Sequence, residues 1–282
     1  MFFKKEYYHC IENKVINIKG EDKFDFIQGI ISNDINLLKK NIPIYSAMLT
    51  PQGRFLFDFF LTLQNDTFFL ECNKNYLDSI FKKLELFKLR SKVEIFFNEN
   101  INVLYSSAEN VEKIKTNFPD ILSFNDPRFK NLFSRIYISK SNLDSLKKSE
   151  KTFISRDEFE NLRLQNFIPD FFYDAIYEKS LLLELRFDEL NGISWNKGCF
   201  MGQEVTARMK YRGLLKKKIY GVKISFNTFL ENEIKSEDQN IGTLFSNNKK
   251  FGIALINCKK INNEKEFLCG DSKIKIQEPC WN

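Results

Sequence analysis

The sequence predicts an α+β protein that contains a ferredoxin-like unit and a small C-terminal β-barrel. Its 282 residues exceed one typical domain, so we expect two or three modules. Between 67 and 138 the strand and helix patterns follow the order βαββαβ, which matches a ferredoxin-like α+β unit. Beyond Lys216, short strand-like runs are separated by polar clusters, and a barrel is the simplest way for them to close.

The chain begins with a strand followed by a helix. The strand is predicted over 15–19, where the residues are VINIK. Asp22 then stands where it could cap a helix, because Phe24, Ile27 and Ile31 follow at helical spacing.

A hairpin is predicted next, from two strand-like runs over 44–50 and 54–64. The runs are joined by Pro51-Gln52-Gly53, in which proline fixes φ and glycine tolerates a positive φ. Asp58 lies in the second run, on a face whose other residues are apolar. A carboxylate in such surroundings needs partners or a chemical purpose.

The region 66–149 has the strand and helix order of a ferredoxin-like βαββαβ unit. The lysine-rich stretch 139–151 at its end has no clear apolar period, so we expect it on the surface. Ser155 and Glu158 follow as a capping-box signature, which predicts a helix that continues to about Asn166.

The composition argues against several classes of protein. The net charge of +6 fits an anionic partner, but lysines are spread along the whole chain, so the charge does not favour nucleic acid. No run approaches the roughly 18 apolar residues of a membrane span, so we expect no membrane partner. The N-terminal residues MFFKKEYYHC lack the apolar region of a secretory signal, which predicts a cytoplasmic location.

The cysteines and the single histidine argue against a metal centre. Six cysteines lie far apart without a CxxC pair, at 10, 72, 199, 258, 269 and 280. We therefore expect reduced thiols, with neither a zinc ribbon nor a disulfide framework. The only histidine, His9, lies near the N-terminus beside two tyrosines, so we expect neither a histidine-based metal centre nor a Ser-His-Asp triad. We therefore predict no metal.

The most informative segment spans 195–213 and has the sequence WNKGCFMGQEVTARMKYRG. Gly198 and Gly202 bracket Cys199, which permits a tight turn that presents the thiol. A helix is expected from Gln203, with Glu204 and Arg208 forming an i,i+4 pair.

The surroundings of Cys199 favour a thiolate, because a helix N-terminus and several cations lie near it in sequence. Those cations are Lys197, Arg208, Lys210 and Arg212. The alternative is a free cysteine that behaves as a small buried hydrophobic residue. The residues alone leave both interpretations open.

The segment KGCFMGQE resembles the signature of the YgfZ/GcvT-like folate-binding proteins, relatives of the glycine cleavage T protein. Other stretches resemble the same family in the same order: FIQGIISNDI over 26–35, LTPQGRFLFDFFL over 49–61, Asp126-Pro127-Arg128, and the terminal IGTLFS and FGIALI. The resemblance covers almost the whole chain. It implies a three-domain ring around a central pocket for tetrahydrofolate.

The resemblance also implies a division of the chain. A discontinuous folate-binding domain is expected over 1–65 and 150–212, the ferredoxin-like domain over 66–149, and the barrel over 213–282. The implied cofactor is tetrahydrofolate or a one-carbon-substituted derivative.

A reduced pterin presents N–H donors and an aromatic face, so its pocket needs carboxylate or carboxamide acceptors and apolar walls. With the resemblance, Cys199 and Asp58 are the candidate catalytic residues. The candidate cofactor-binding residues are Asn33, Asp34, Asp58, Arg163, Gln165, Glu184, Lys197, Gln203, Glu204 and Arg208. Each acid also has a structural alternative: a buried structural acid for Asp58, a solvated helix residue for Glu184, and a turn for Asn33-Asp34.

Two departures from the family pattern concern folate. Gln165 and Phe167 replace a usual glutamate and glycine, and an amide accepts through one atom where a carboxylate accepts through two. We expect the change to cost one hydrogen bond, worth about 0.5–1.5 kcal/mol. Phe57 precedes Asp58 where the T protein tends to have paired acids, which favours the cluster-maintenance branch of the family.

The resemblance therefore implies a tetrahydrofolate-binding protein that assists iron-sulfur cluster assembly or repair through Cys199. Its partners would be reduced folate and iron-sulfur proteins or cluster carriers. The alternative is a folate-dependent aminomethyltransferase or related demethylase, and whether the protein is an enzyme stays open. A basic RNA-associated accessory protein is a second alternative, disfavoured because the aromatic residues lie in apolar runs and not between cations.

Overall fold

The chain forms two β-sheets and a closed β-barrel. The computed structural model describes residues 2–4, 6–39, 42–149, 152–237, 239–261, 267–279 and 281. The helices are α1 (Lys23–Gln28), α2 (Leu77–Lys88), α3 (Ala108–Asn117), α4 (Lys140–Ser149), α5 (Arg156–Gln165) and α6 (Gln203–Arg212). The strands are β1 (Tyr7–Cys10), β2 (Asn13–Lys19), β3 (Ile44–Leu49), β4 (Phe55–Gln64), β5 (Thr67–Asn73), β6 (Glu94–Asn98), β7 (Ile101–Ser106), β8 (Leu122–Asn125), β9 (Ser134–Ser139), β10 (Lys217–Ser225), β11 (Glu233–Ser236), β12 (Gln239–Asn247), β13 (Phe251–Asn257), β14 (Phe267–Cys269) and β15 (Ser272–Gln277). None of these helices is long and apolar enough to cross a bilayer.

The first sheet contains a ferredoxin-like unit near the start of the chain. Its strand order is β3-β4-β5-β2-β6, and all neighbours are antiparallel. Along the chain, β2, α1, β4, β5, α2 and β6 follow the βαββαβ order, with β3 added at the edge. β2 suits an inner position because Val15, Ile16 and Ile18 are all buried, and an inner strand is covered on both faces.

The second sheet is also ferredoxin-like, but the N-terminus completes it. Its antiparallel order is β1-β7-β9-β8. Three of its strands come from one stretch of chain, whereas β1 arrives from the N-terminus and places Tyr8 opposite Tyr105 of β7. After α4, an isolated parallel bridge joins Phe153 to Tyr7.

These pairings correct the expectation of one ferredoxin-like unit within 66–149. The predicted order of strands and helices is confirmed there. However, β5 and β6 belong to the first sheet, whereas β7, β8 and β9 belong to the second. Periodicity locates a strand but does not choose its neighbour, because pairing depends on contacts between residues far apart in sequence.

Three local expectations have different outcomes. The stretch 139–151 contains α4, which buries Leu143 and Leu146 at i,i+3 spacing, so it is not merely a surface segment. Asp22 precedes α1 without capping it, because its carboxylate accepts the backbone N–H of Lys92 at 2.7 Å. The capping box before α5 is confirmed, with both of its hydrogen bonds present.

The predicted barrel is confirmed, and it closes in the order β10-β13-β12-β11-β14-β15. Phe167 joins it to the end of α5: a Cβ on Gly221 of β10 would lie 2.2 Å from the Phe167 ring. Trp281 also donates its indole N–H to the carbonyl of Phe167 at 3.1 Å. The φ of Phe167 is +54°, a left-handed conformation that suits the glycine usual at this position in the resembling family.

A buried ion network joins the two sheets. Glu71 on β5 accepts hydrogen bonds from Arg135 on β9 and, at 2.8 Å, from the hydroxyl of Tyr137. Arg135 also donates to Asp126 at 2.8 Å, and Arg128 donates to the same carboxylate at 3.0 Å. The four charged side chains lie in residues that are at most 6% exposed.

We expect Glu71→Gln to lower the free energy of unfolding by about 3 kcal/mol, because it leaves the buried guanidinium of Arg135 short of a carboxylate. Urea denaturation followed by circular dichroism measures this change. The matched control is Glu112→Gln, which removes an exposed ion pair with Lys115 and should cost less than about 1 kcal/mol. Equal losses in the two variants would contradict a structural role for the network.

Candidate functional site

A cavity of about 80 Å³ lies where the two sheets meet. Its walls include Tyr8, Asp58, Phe60, Arg128, Arg163 and Asp170. Aromatic rings supply the apolar part of the wall, and carboxylates and guanidinium groups supply the polar part. The cavity thus combines the two kinds of surface that small-molecule sites use.

The ion network forms one side of this cavity. Burial alone would raise the pKa of Asp126, but the guanidinium groups of Arg128 and Arg135 lower it to about 2. Asp126 is therefore ionised at neutral pH. Arg135 also lies 3.5 Å from the centroid of the Phe60 ring, and Arg128 lies 5.0 Å from it. The two arginines of the network therefore also hold the Phe60 ring, which is part of the cavity wall.

Asp58 faces the cavity in a different electrostatic setting. Its Oδ2 accepts a hydrogen bond from the hydroxyl of Tyr45 at 2.8 Å. Burial raises the pKa of Asp58, and the Tyr45 hydrogen bond and the Arg128 charge offset this only in part. The structure therefore explains how β4 tolerates an acid among apolar residues: the Tyr45 hydroxyl binds the carboxyl group and the Arg128 charge lies near it.

Asp170 is a second cavity acid, and the sequence-based site missed it. Burial raises its pKa to about 6, and the charges of Asp174 and Asp58 act in the same direction against Arg163. Its Oδ1 accepts the backbone N–H of Phe172 at 3.0 Å. The signal in the sequence was Pro169-Asp170, which closes the same family segment in which Gln165 replaces a glutamate.

The predicted cofactor-binding residues divide into groups. Asp58 and Arg163 line the cavity, but the Arg163 guanidinium already donates to the carbonyl of Ile168 at 2.7 Å and to Asp174 at 3.1 Å. Gln165 is exposed on α5 and Glu184 is half-buried, and neither is among the cavity residues. The expected loss of a folate hydrogen bond at Gln165 therefore has no support in the geometry.

The side chains of Asn33 and Asp34 bind backbone groups of nearby segments. The Asn33 amide donates to the carbonyls of Tyr45 and Asn191, each at 2.8 Å. Asp34 accepts the backbone N–H of Asn36 at 3.0 Å and so caps a short 3₁₀ turn. These contacts match the turn interpretation of the pair and place neither residue in the cavity wall.

Lys197 fixes the loop 195–202, which contains Cys199 and which we call the cysteine loop, against the end of α1 and the residues after it. Its ammonium donates to the carbonyls of Gln28 at 2.7 Å, Ile31 at 2.7 Å and Asn33 at 2.8 Å. An ammonium has three donors, so all three are used. Burial lowers the pKa of Lys197 to about 8. Lys197 is therefore a residue that holds the loop, rather than a free cation beside the thiol.

Gly202 brings the hairpin turn against the same loop. Its φ is +80°, and a Cβ there would lie 2.4 Å from the carbonyl oxygen of Thr50. Gly53 of the turn is equally crowded, with the carbonyl of Gly202 2.8 Å from where its Cβ would be. Gln203 begins α6 and accepts the backbone N–H of Phe200 at 3.2 Å. Close backbone packing accounts for both glycines.

Cys199 is presented at the surface of this fixed loop. Of the five cysteines that the structure describes, it alone is exposed. Glu204 and Arg208 form the predicted pair on exposed α6. Lys210 reaches Asp188 at 3.3 Å, so three of the four expected cations bind other groups, and of the four only Arg212 forms no ion pair or hydrogen bond of its side chain within the described residues.

The fold and this site define a class of protein. The structure of glycine cleavage system aminomethyltransferase T from Bartonella henselae matches with a TM-score of 0.81, over 97% of this chain and 84% of that chain. The sequence identity is 14%, so the similarity shows the fold alone. The chain has the GcvT-like fold.

Sequence comparisons show which proteins the chain resembles. Residues 216–282 match the CAF17 C-terminal beta-barrel domain. The iron-sulfur cluster assembly factor IBA57 homolog, mitochondrial, from Dictyostelium discoideum is 28% identical over 250 residues, which is 75% of this chain and 60% of that protein. The tRNA-modifying protein YgfZ from Hamiltonella defensa is 27% identical over 224 residues, 73% of this chain and 66% of that protein. The chain is therefore similar to the IBA57 and YgfZ proteins in sequence, and it spans about half to three fifths of the first curated relatives it matches.

We expect the carboxyl group of Asp170 to titrate near pH 6, as measured by ¹³C NMR of labelled aspartate. A folded-state pKa above the ordinary 3.8 means that unfolding releases a proton between about pH 4 and 6. The free energy of unfolding should therefore fall as pH rises through this window. Asp170→Asn should remove both the NMR signal and this part of the fall; an unchanged titration would disprove the assignment.

We expect Cys199 to react with iodoacetamide at least about tenfold faster than Cys10 or Cys269 at neutral pH. Burial raises the pKa of Cys10 to about 12 and that of Cys269 to about 11, whereas Cys199 is exposed. Peptide mass spectrometry ranks the thiols, and labelling in urea is the control because unfolding should bring the rates together. Cys280, also predicted to be slow, lies outside the described residues.

Proposed function

We propose that this protein acts in iron-sulfur cluster assembly or repair, with Cys199 as the residue that meets the cluster or its carrier. The observation that carries the proposal is an exposed thiol on a loop that Lys197 and Gly202 hold in place. Cysteine sulfur is the usual protein ligand of iron-sulfur clusters. The Dictyostelium relative, whose name is that of a cluster assembly factor, supports the same process.

We further propose that reduced folate binds in the cavity. Asp58 and Asp170 would accept hydrogen bonds from the pyrimidine edge of the pterin, and the ring of Phe60 would contact its face. Arg128 is held by Asp126, to which its Nε and Nη2 each donate at 3.0 Å, and would keep the cavity wall in place. When bound, the folate would supply a carrier for one-carbon groups.

A folate-dependent aminomethyltransferase or related demethylase is the second candidate. One observation favours it: two acids, Asp58 and Asp170, line the cavity, and burial raises the pKa of Asp170 to about 6, which suits a group that transfers a proton. Turnover of an aminomethylated lipoyl carrier with release of ammonia would identify this activity. A cytoplasmic location stays a prediction for either function.

The first test is rescue of cells that lack this protein, scored by the activities of their iron-sulfur enzymes. We expect the wild type to restore these activities and Cys199→Ser to restore little, because serine removes the soft sulfur ligand. Cys258→Ser, at a partly buried cysteine in the barrel domain, is the matched control and should rescue fully. Full rescue by Cys199→Ser would rule out the thiol as the functional group.

The second test is calorimetry with tetrahydrofolate. We expect Asp58→Asn to weaken binding about tenfold, because a carboxylic acid acceptor facing the pterin is replaced by an amide. Glu184→Gln and Gln165→Ala should bind like the wild type, since neither residue lines the cavity. If these two controls lose binding and Asp58→Asn binds normally, folate does not bind in the cavity that Asp58 lines.

A further inference from the structure

Exposed apolar residues at the end of α6 meet Trp195, which belongs to the loop that carries Cys199. Tyr211 is 75% exposed and Leu214 is 52% exposed. The ring of Trp195, four residues before Cys199, lies 6.3 Å from the Tyr211 ring between centroids. We call Trp195, Tyr211 and Leu214 the aromatic patch. Single exposed apolar residues are common on proteins, but here two of them, with Trp195, connect the end of α6 to the loop that carries the exposed Cys199.

The aromatic patch is held in a defined position. Gly213 ends α6 with a φ of +61°, and the N–H of Leu214 donates to the carbonyl of Met209 at 3.3 Å. Met209 is buried and so anchors this turn of the helix. Lys210 lies over the Trp195 ring at 5.1 Å. Side chains ordered in advance lose less entropy when a partner binds.

Positive charge borders the aromatic patch. Arg212 precedes Gly213 and Lys216 follows Leu214 by two residues, and both are exposed. Within the described part of the chain, neither forms an ion pair, whereas neighbouring Arg208 is already paired with Glu204. The border therefore has a surplus of positive charge that a carboxylate-bearing surface would complement.

We propose that the aromatic patch and its border, Arg212 and Lys216, form the docking surface for an acidic protein partner that meets Cys199. The inference rests on the proposed function in cluster assembly, and it adds where the carrier binds and what chemistry it presents. Aromatic anchors inside a polar rim are typical of protein interfaces. Carboxylates on the same face, Glu204 and Asp188, disfavour a phosphate backbone, so nucleic acid is the weaker candidate.

The experiment titrates purified iron-sulfur cluster carrier proteins of the same organism, one at a time, by calorimetry. We expect an acidic carrier to bind the wild type. The double variant Tyr211→Ala and Leu214→Ser should bind it at least about tenfold more weakly. The double variant Arg212→Glu and Lys216→Glu should bind more weakly and with a reduced dependence on salt.

Two variants on the distant α2 are matched controls. Leu86→Ser removes an equally exposed leucine and Lys82→Glu reverses an exposed lysine, and both should bind like the wild type. Circular dichroism and the Cys199 labelling rate check that all variants are folded. Wild-type affinity in the patch variants would overturn the docking surface, as would preferential binding of a short single-stranded RNA.

Cell rescue separates this inference from the proposed function. If the wild type and the patch variants restore iron-sulfur enzymes equally, the docking surface is wrong and the proposed function stands. If the wild type restores none of these enzymes, the proposed function fails, and the titration with carriers alone decides the docking surface.

Discussion

The buried network around Arg135 is the constraint on which the rest of the structure depends. Arg135 on β9 joins Glu71 on β5 and Asp126 in the segment after β8, so strands from two sheets meet through charge rather than apolar packing alone. Such a network need not add net stability, because desolvation offsets much of the Coulomb attraction. Its effect is to fix one relative placement of the sheets, since any displacement would leave a buried charge unpaired.

That placement creates the cavity and gives the acids in and near it different surroundings. Two guanidinium groups lower the pKa of Asp126 to about 2, whereas burial raises the pKa of Asp58 and raises that of Asp170 to about 6. The pKa values of similar carboxyl groups are thus shifted in opposite directions by their surroundings. Small-molecule sites exploit such differences, because a neutral acid can donate a hydrogen bond as well as accept one.

The cysteine loop is organised by a different device. Lys197 gathers three carbonyl groups after α1, and Gly202 permits close contact with the hairpin turn at Thr50. Three segments that are distant in sequence therefore meet. Lys197, Gly53 and Gly202 are explained by the contacts that hold these segments together. Cys199 is the exception, because an exposed thiol does nothing for the packing of this loop. Its exposure to solvent is the observation on which its proposed role rests.

The sequence by itself determined the kinds and order of most elements, though not β1 or α4, together with the closing barrel, the capping box before α5 and the start of α6 after Gly202. These follow from periodicity, propensity and local hydrogen bonds, which act within a few residues. The pairing of strands could not be predicted in this way. Strand β1 completes the second sheet and β2 lies in the first, because long-range packing selects the partner of each strand. For the same reason the sequence singled out Asp58, which lines the cavity, but not Asp170, which lines it too, and it named Gln165, which is not among the lining residues. Tertiary structure alone decided which acids share a cavity, because that depends on distances between strands that no local pattern encodes.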